Sequence, residues 1–420
     1  MIPKSSKKIN STSGGVVSKL GLYKPIIKFS SKPKKGFQYK LANSQKKYQK
    51  GLQKSLLCID LPLKTLIKNL KTGNATQRYN AVEKIGNLGP KAKCAVSALV
   101  RAMFDADMGV QLKSRGVLKK MGASVIPEIL KTFGEKRYED MSLSLQMKIS
   151  TLLVLIGRPG ATQLLKALKD KREVVRETAA YVLSRVGAGA KNLPAILRAL
   201  NDKRLYLNIA EALGRMSPSV SPHLIGRLNN NKWWVREGAA IALGRIFSKK
   251  NSRGRLRAVN VQENAGKVTI RYTTVQSRKT VSKRLTTQLK GLLSALSKAA
   301  MSDKNWRVRM ESIRALGRIG IKAPMVLRAI YCGLKDGSWK VREIAAEAPY
   351  KLMAKDKKTI AHLLVALKDK VPGVRSSAVQ TLGYVGRRNK KVGLAIRQML
   401  KDPHYRVVYE ARYVLKKMNK

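Results

Sequence analysis

Acidic side chains are scarce in this chain. Only 24 Asp and Glu stand against 87 Lys and Arg, a net charge of +63 over 420 residues. Such an excess opposes compaction by self-repulsion and goes beyond what solubility needs, so it points to a polyanionic partner, nucleic acid ahead of an anionic membrane. Cysteine is nearly absent. Cys58, Cys94 and Cys332 show no CxxC spacing and no neighbouring His. That argues against a disulfide framework or a zinc site and for a reducing intracellular compartment: cytoplasm, nucleoid or nucleus. No run of 18 apolar residues is present, which argues against a spanning helix and a membrane partner. The N-terminal stretch lacks an apolar core, so a secretory signal is not expected. It is acid-free and Ser-rich like an organelle transit peptide, but its cations are Lys rather than Arg, which leaves import open. Histidine is limited to His223, His362 and His404, none beside a Glu, and GxxxxGK[ST], HExxH and GxSxG are missing. The expectation is therefore no catalytic residue, no metal and no cofactor.

What is abundant is repetition. Asp303, Asp336, Asp369 and Asp402 lie 33 residues apart. Five residues after each comes Val308, Val341, Val374 or Val407, and eight further on Leu316, Pro349, Leu382 or Leu415. A fixed period in the thirties with helical apolar spacing is the signature of stacked helix pairs. Working backwards, the Asp slot falls at Thr72, Asp105, Asp140, Asp170, Asp202 and Asn230, with the Asp202 repeat about two residues short. The fold expected is all-α, a right-handed α-solenoid of about ten helix pairs. The phase D-x-x-W/P/Y-x-V-R-x-x-A-x-x-x-L-G resembles HEAT repeats of the kind found in PBS-lyase-like and DNA alkylation-repair proteins. That resemblance implies that the second helix of each pair lines a concave face.

Four regions follow. Residues 1–54 carry fourteen Lys, no Arg and no acid, interleaved with Tyr23, Phe29, Phe37, Tyr39 and Tyr48. This composition buries too little to order itself and reads as a basic arm, with Lys34, Lys35, Lys46 and Lys47 as candidate contacts. Residues 55–247 hold repeats 1–6 and residues 291–420 repeats 7–10. Between them, residues 248–290 break the helical period. Val259 and Val261, then Val268, Ile270 and Tyr272, alternate around Glu263-Asn264-Ala265-Gly266, a β-hairpin signal. Twelve cations against Glu263 make this insertion basic, and Arg253, Arg255, Arg257, Lys267, Arg271, Arg278 and Lys279 are its candidate contacts.

Within the repeats, Asp170–Arg176, Asp303–Arg309, Asp336–Arg342 and Asp369–Arg375 share a spacing of six. One pair recurring at one phase reads as a ladder tying each turn to its neighbour, not as catalytic machinery. Trp233, Trp306, Trp339 and Tyr405 share a slot that also accepts Pro372, and are expected to pack. Trp234 occupies the next slot, which elsewhere holds Arg307, Lys340 or Arg406. It is therefore the aromatic expected to face solvent and a ligand, with partial burial the alternative. Two residues after the Leu slot come Lys120, Arg185, Arg245, Arg318 and Lys417, with Arg215 in the short repeat. Cations there complement a helix C-terminus, worth about 0.3–1 kcal/mol each. They would also form a phosphate-tracking stripe along the concave face. Arm and insertion carry +14 and +11, which leaves +38 on the repeats. Helix-end complementarity does not require so large an excess. Gly187, Gly214, Gly244, Gly317 and Gly383 are expected to stop second helices.

The function expected is a non-catalytic nucleic-acid-binding scaffold. Ten pairs at about 8–10 Å give roughly 80–100 Å of contour, some 25–30 base pairs. Aromatics at 5% make base-stacking platforms sparse, which favours a duplex or folded RNA over a single strand. DNA is slightly favoured over structured RNA through the alkylation-repair resemblance. Other proteins of a nucleoprotein assembly are further candidate partners. Two alternatives remain: a HEAT-like DNA glycosylase using Trp234 and an acid such as Glu237, and a protein–protein scaffold for acidic partners.

Overall fold

The computed structural model describes residues 61–133, 143–248, 257–264, 267–273 and 283–418. The basic arm lies outside them, as do residues 55–60 and Asp140. Among the described residues, twenty α-helices form ten consecutive pairs. They are α1 (Leu61–Thr72), α2 (Ala75–Leu88), α3 (Val96–Ala102), α4 (Met108–Met121), α5 (Ile126–Phe133), α6 (Leu143–Ile156), α7 (Ala161–Ala167) and α8 (Glu173–Val186). Then come α9 (Leu193–Ala199), α10 (Tyr206–Leu213), α11 (Ser221–Arg227), α12 (Trp233–Ile246), α13 (Lys283–Ser302) and α14 (Trp306–Ile319). The array closes with α15 (Pro324–Gly333), α16 (Trp339–Leu352), α17 (Lys357–Ala366), α18 (Pro372–Val385), α19 (Lys390–Gln398) and α20 (Tyr405–Met418). Even numbers are the second helices of their pairs. No described helix is long and apolar enough to cross a membrane.

The seventh pair shows how the sequence dictates a repeat. Asn305 caps α14 by accepting from the Arg307 amide. Val308, Glu311, Ser312, Ala315, Leu316 and Ile319 are buried, a stripe at helical spacing that meets the neighbouring helices. Gly320 at φ 70° stops the helix in the left-handed region, and Pro324 opens α15 at the position where its missing N–H is harmless. The short repeat is visible too: α10 spans 8 residues where α12 and α14 span 14. Buried apolar side chains form one continuous core from Leu63 to Ala354 and a second from Ala346 to Val414.

Three expectations need correction. First, the stop position lies four residues after the Leu slot, at Gly89, Gly122, Gly157, Gly187 and Gly320, all with positive φ, and at Met353. Gly187 is such a stop. Gly214 does end the short α10, though at φ −63° and not in the left-handed region. Gly244, Gly317 and Gly383 instead lie inside second helices directly after the Leu slot, where the next second helix approaches. A Cβ on Gly244 would sit 2.8 Å from the Ala315 Cα, and one on Gly383 2.1 Å from a Val414 methyl. Second, α13 begins at Lys283, inside the stretch assigned to the insertion. Third, the strands of the insertion run further into the proposed turn. Strands β1 (Arg257–Asn264) and β2 (Lys267–Thr273) pair antiparallel, with Glu263 opposite Val268 and Asn264 opposite Lys267. Only residues 265 and 266 separate them.

Candidate functional site

Two ladders run along the edge where first helices turn into second helices. The inner one is the Asp–Arg ladder, and it links repeats rather than closing within them. Arg309 donates to the Asp336 carboxylate through Nε and Nη2 at 2.6 and 2.8 Å, while its Nη1 donates to the Asp303 carbonyl at 2.8 Å. The spacing-six partner thus supplies its backbone, and the partner in the next repeat its carboxylate. The fork geometry of guanidinium allows both at once. Arg342 with Asp369 and Arg375 with Asp402 repeat the pattern, as does Arg78 with Asp105 at the front. Arg236 reaches Asp303 at 2.7 Å across the whole insertion, so the ladder passes it as though it were absent. Each carboxylate also accepts from the amide two residues on, as Asp369 does from Val371. Burial alone would push the Asp336 and Asp369 carboxyls up, but these bonds outweigh it and hold both below the usual range. The Arg375 bond holds Asp402 down in the same way.

Asp170 departs from this pattern. Its carboxylate is taken by Arg172 of its own turn at 2.8 Å, and that bond draws its pKa down to about 2. Arg176 donates only to the carbonyls of Asp170 and Lys171.

The outer ladder is made of indoles and cations. Lys203 and Lys232 lie over the Trp234 ring at 5.9 and 5.6 Å, Arg307 over Trp233 and Trp306 at 5.5 and 5.2 Å, and Lys340 over Trp306 and Trp339 at 4.9 and 5.5 Å. Trp233 and Trp234 meet edge to face at 5.9 Å. The series joins neighbouring repeats because α14 and α16 open on Trp followed by a cation, Trp306-Arg307 and Trp339-Lys340, while α12 opens on Trp233-Trp234. Here the expected roles change. Trp234 is half-buried, and its Nε1 donates to the Asn201 carbonyl at 3.1 Å. Trp339 is 44% and Tyr405 81% exposed, so their shared slot is not a packing slot. That holds for these two repeats only: Trp233 and Trp306 in the same slot are half-buried and pack against the core, as expected, while also stacking on cations. Lys203, Lys232, Trp306 and Trp339 belong to this surface but were not selected from the sequence. For Trp306 and Trp339 the signal was the Trp-cation dipeptide recurring after 33 residues; Lys203 and Lys232 carried no such mark.

The cation stripe lies in the last turns of second helices. These helices pack along their length against the second helices of neighbouring repeats, while first helices touch theirs far less. The stripe therefore lies on the closely packed second-helix layer, the face that the HEAT resemblance takes as the inner one. Arg185, Arg215, Lys120 and Lys417 are exposed there; Arg245 and Arg318 are half-buried. The Arg215 stem lies 3.5 Å from where a Gly187 Cβ would be, and its Nε donates to the Ser184 carbonyl. Arg245 crosses Gly214 and pairs with Glu211 at 2.5 Å. Burial lowers the Arg318 pKa. Members of the stripe therefore also serve the scaffold. Glu237 is buried and accepts from the Tyr206 hydroxyl at 3.0 Å. Burial raises its pKa. Arg406 is exposed on α20, beyond the indoles.

Arg257 falls on β1 and Lys267 and Arg271 on β2. Arg253, Arg255, Arg278, Lys279, Lys34, Lys35, Lys46 and Lys47 lie outside the described residues. Among the described residues, no three His, Cys, Asp or Glu side chains converge as a metal set.

No family model matches the chain, and neither does any curated protein. Solved structures do. A karyopherin, Kap121p bound to the SUMO protease Ulp1p, aligns over 84% of this chain and 41% of its own at 14% identity, with a TM-score of 0.50. An engineered protein aligns over 85% and 99% at 16% identity, TM-score 0.37. Human deoxyhypusine hydroxylase aligns over 78% and 96% at 18% identity, TM-score 0.28. The chain thus spans about two fifths of the karyopherin it matches. At these identities the likeness is one of architecture: an all-helical α-solenoid of HEAT-like repeats.

Proposed function

We propose that this chain is a non-catalytic scaffold that binds nucleic acid by its phosphate backbone. The carrying observation is the outer ladder. Trp233, Trp234, Arg307, Trp306, Lys340 and Trp339 form a continuous cationic and aromatic edge. Among the described residues Arg307 and Lys340 form no salt bridge, and the aspartates of their turns, Asp303 and Asp336, are held by the inner arginines. Internal ion pairs remove cations and acids one for one, so the excess of 63 positive charges is available to a partner. The stripe of Arg185, Arg215 and Lys417 extends this surface to the inner face. The Lys-rich segment 1–54 and the basic hairpin 257–273 act as an arm and a probe. Duplex DNA is slightly favoured over structured RNA, because a stack of repeats presents charge at regular intervals along a rigid path. Other proteins of a nucleoprotein assembly are secondary partners.

Binding to a 30-base-pair duplex and to a folded RNA, measured against salt, tests this reading. Eight phosphate contacts should cost roughly 10³–10⁵ in affinity between 50 and 200 mM salt. A log–log slope near zero on both ligands would overturn it. Sequencing the nucleic acid that copurifies with the chain then separates DNA from RNA.

A further inference from the structure

The inner face of the last three repeats differs from the rest of the stripe. Here the slot two residues after Leu382 holds Tyr384 instead of a cation. Tyr350, Tyr384 and Tyr413, one each from α16, α18 and α20, line a groove of about 930 Å³. All three rings are between 40% and 48% exposed. Tyr350 and Tyr384 meet edge to face at 4.6 Å. Lys355 covers Tyr384 at 5.5 Å, and Lys417 covers Tyr413 at 4.3 Å.

Two further features single the groove out. Arg387 and Arg388 sit on its rim and also line the adjoining cleft of about 350 Å³ with Lys390 and Arg397. A cationic path therefore leaves the groove along the turn from α18 to α19. Of the two groove carboxylates, Glu347 is held by Lys351 at 2.7 Å. Glu410 lies beside Gln380, its Oε1 enclosed and its carboxylate on the groove lining. A carboxylate acceptor among aromatic rings suits a ligand that brings both a π-face and an N–H donor. Nucleobases with an exocyclic amino group bring both, and their phosphates fit the rim.

We infer that this groove takes unpaired nucleotides, the tyrosines stacking on bases, Arg387 and Arg388 holding phosphates, and the Glu410 carboxylate accepting from a base amino group. The inference rests on the nucleic-acid reading and adds to it. A chain that tracks duplex phosphates would hold a single-stranded end or bulge at its C-terminal repeats. Other exposed rings, such as Tyr181 and Trp339, lie singly along the array; here three from successive second helices share one groove.

The test uses the full chain and two probes of equal phosphate number: a blunt duplex, and a shorter duplex with a single-stranded oligo-dC end carrying 2-aminopurine. The wild type should bind the tailed probe more tightly and quench its 2-aminopurine. Y350A/Y384A/Y413A should lose about tenfold or more on the tailed probe and leave the blunt duplex unchanged. Y350F/Y384F/Y413F keeps the rings and should retain both binding and quenching. Glu410→Gln should reduce a preference for oligo-dC over oligo-dT ends. Equal losses on both probes, an unquenched tail, or a Phe variant as weak as the Ala variant would each overturn the groove assignment. An acidic peptide that displaces the tail while the Ala variant still quenches would do so as well. Salt-dependent binding to the blunt duplex would survive all of these outcomes, so failure here is distinct from failure of the scaffold reading.

Discussion

The inner and outer ladders share the same turns and much the same chemistry, a cation set against a partner from the next repeat, but they answer to different demands. In the inner ladder Arg342 and Asp369 are about nine-tenths buried and cancel each other's charge. In the outer ladder Arg307 and Lys340 are exposed, their partners are neutral rings, and their charge is left over. The first is what stacking needs, since an arginine under the turn must find both a carboxylate and a carbonyl. The second adds little to stacking, because an exposed cation over a ring is worth only about 0.5–1 kcal/mol. Even the inner ladder is not what drives the repeats together. It lapses between Asp170 and Asp202, where Arg176 bonds only to carbonyls of its own turn. There Ile149, Leu153, Val175, Leu183, Ile209 and Leu213 stay fully buried. Apolar burial stacks the helices, and the arginines fix how each turn sits on the next.

The sharpest way to break this contrast is to remove one cation from each ladder. Arg342→Met keeps the stem but leaves the Asp369 carboxylate buried and unpaired, which should cost about 3 kcal/mol in urea unfolding. Lys340→Gln should change stability by less than about 1 kcal/mol and instead lower the salt slope of nucleic-acid binding by about 0.9. Equal stability losses would erase the distinction between the ladders. The next effect is smaller and depends on pH. Asp170 titrates at about 2 in the folded chain, below the usual carboxyl value near 3.9 in an unfolded one. Its pairing with Arg172 is therefore fully stabilising above about pH 4 and is lost as pH falls through about 2. The stability gap between wild type and Asp170→Asn should be about 2 kcal/mol at pH 5 and close as pH approaches 2. A gap independent of pH would show that the carboxylate's charge is not what the turn uses. The outer ladder has no carboxyl to protonate, and its contacts should be unchanged over the same range.

Much of this was legible in the sequence because a repeat reports each position several times. Four occurrences of the Asp, Val and Leu slots were enough to place ten helix pairs and to recognise a ladder. What the spacing could not reveal was direction. Asp303 and Arg309 are six residues apart, yet the carboxylate that Arg309 holds belongs to Asp336, since a solenoid brings position i against i+27. The same limit blurred the indoles. In the slot shared by Trp, Tyr and Pro, Trp233 and Trp306 pack half-buried against the core, but Trp339 and Tyr405 face the rim of the turn. The tyrosine groove was hidden for another reason. Tyr350, Tyr384 and Tyr413 occupy different slots of their repeats, so no single column of the repeat contains them. Only the offset between neighbouring helices brings them together.

The glycines give the smallest and most discriminating test, because two residues in the same slot should respond with opposite sign. Gly244 and Gly317 both follow the Leu slot directly and both face the next second helix. At Gly244 an added Cβ meets backbone and Cβ of Ala315 at 2.8 Å, which cannot yield without moving α14 away from α12. Gly244→Ala should therefore destabilise by about 1–3 kcal/mol, at the one junction the insertion already spans. At Gly317 the nearest atom is the Lys351 Cδ at 3.4 Å, the flexible stem of a half-buried side chain. There the helical preference of Ala over Gly should prevail, stabilising by about 0.5–1 kcal/mol. Thermal unfolding of the two variants decides the matter. If both destabilise, close approach is a property of the whole second-helix layer and the cation stems are as unyielding as backbone. If they diverge, the junction at Gly244 is packed more tightly than its neighbours. In that case the inner ladder, carried from Arg236 to Asp303, holds its register there under a constraint set by backbone rather than by a side chain that can give.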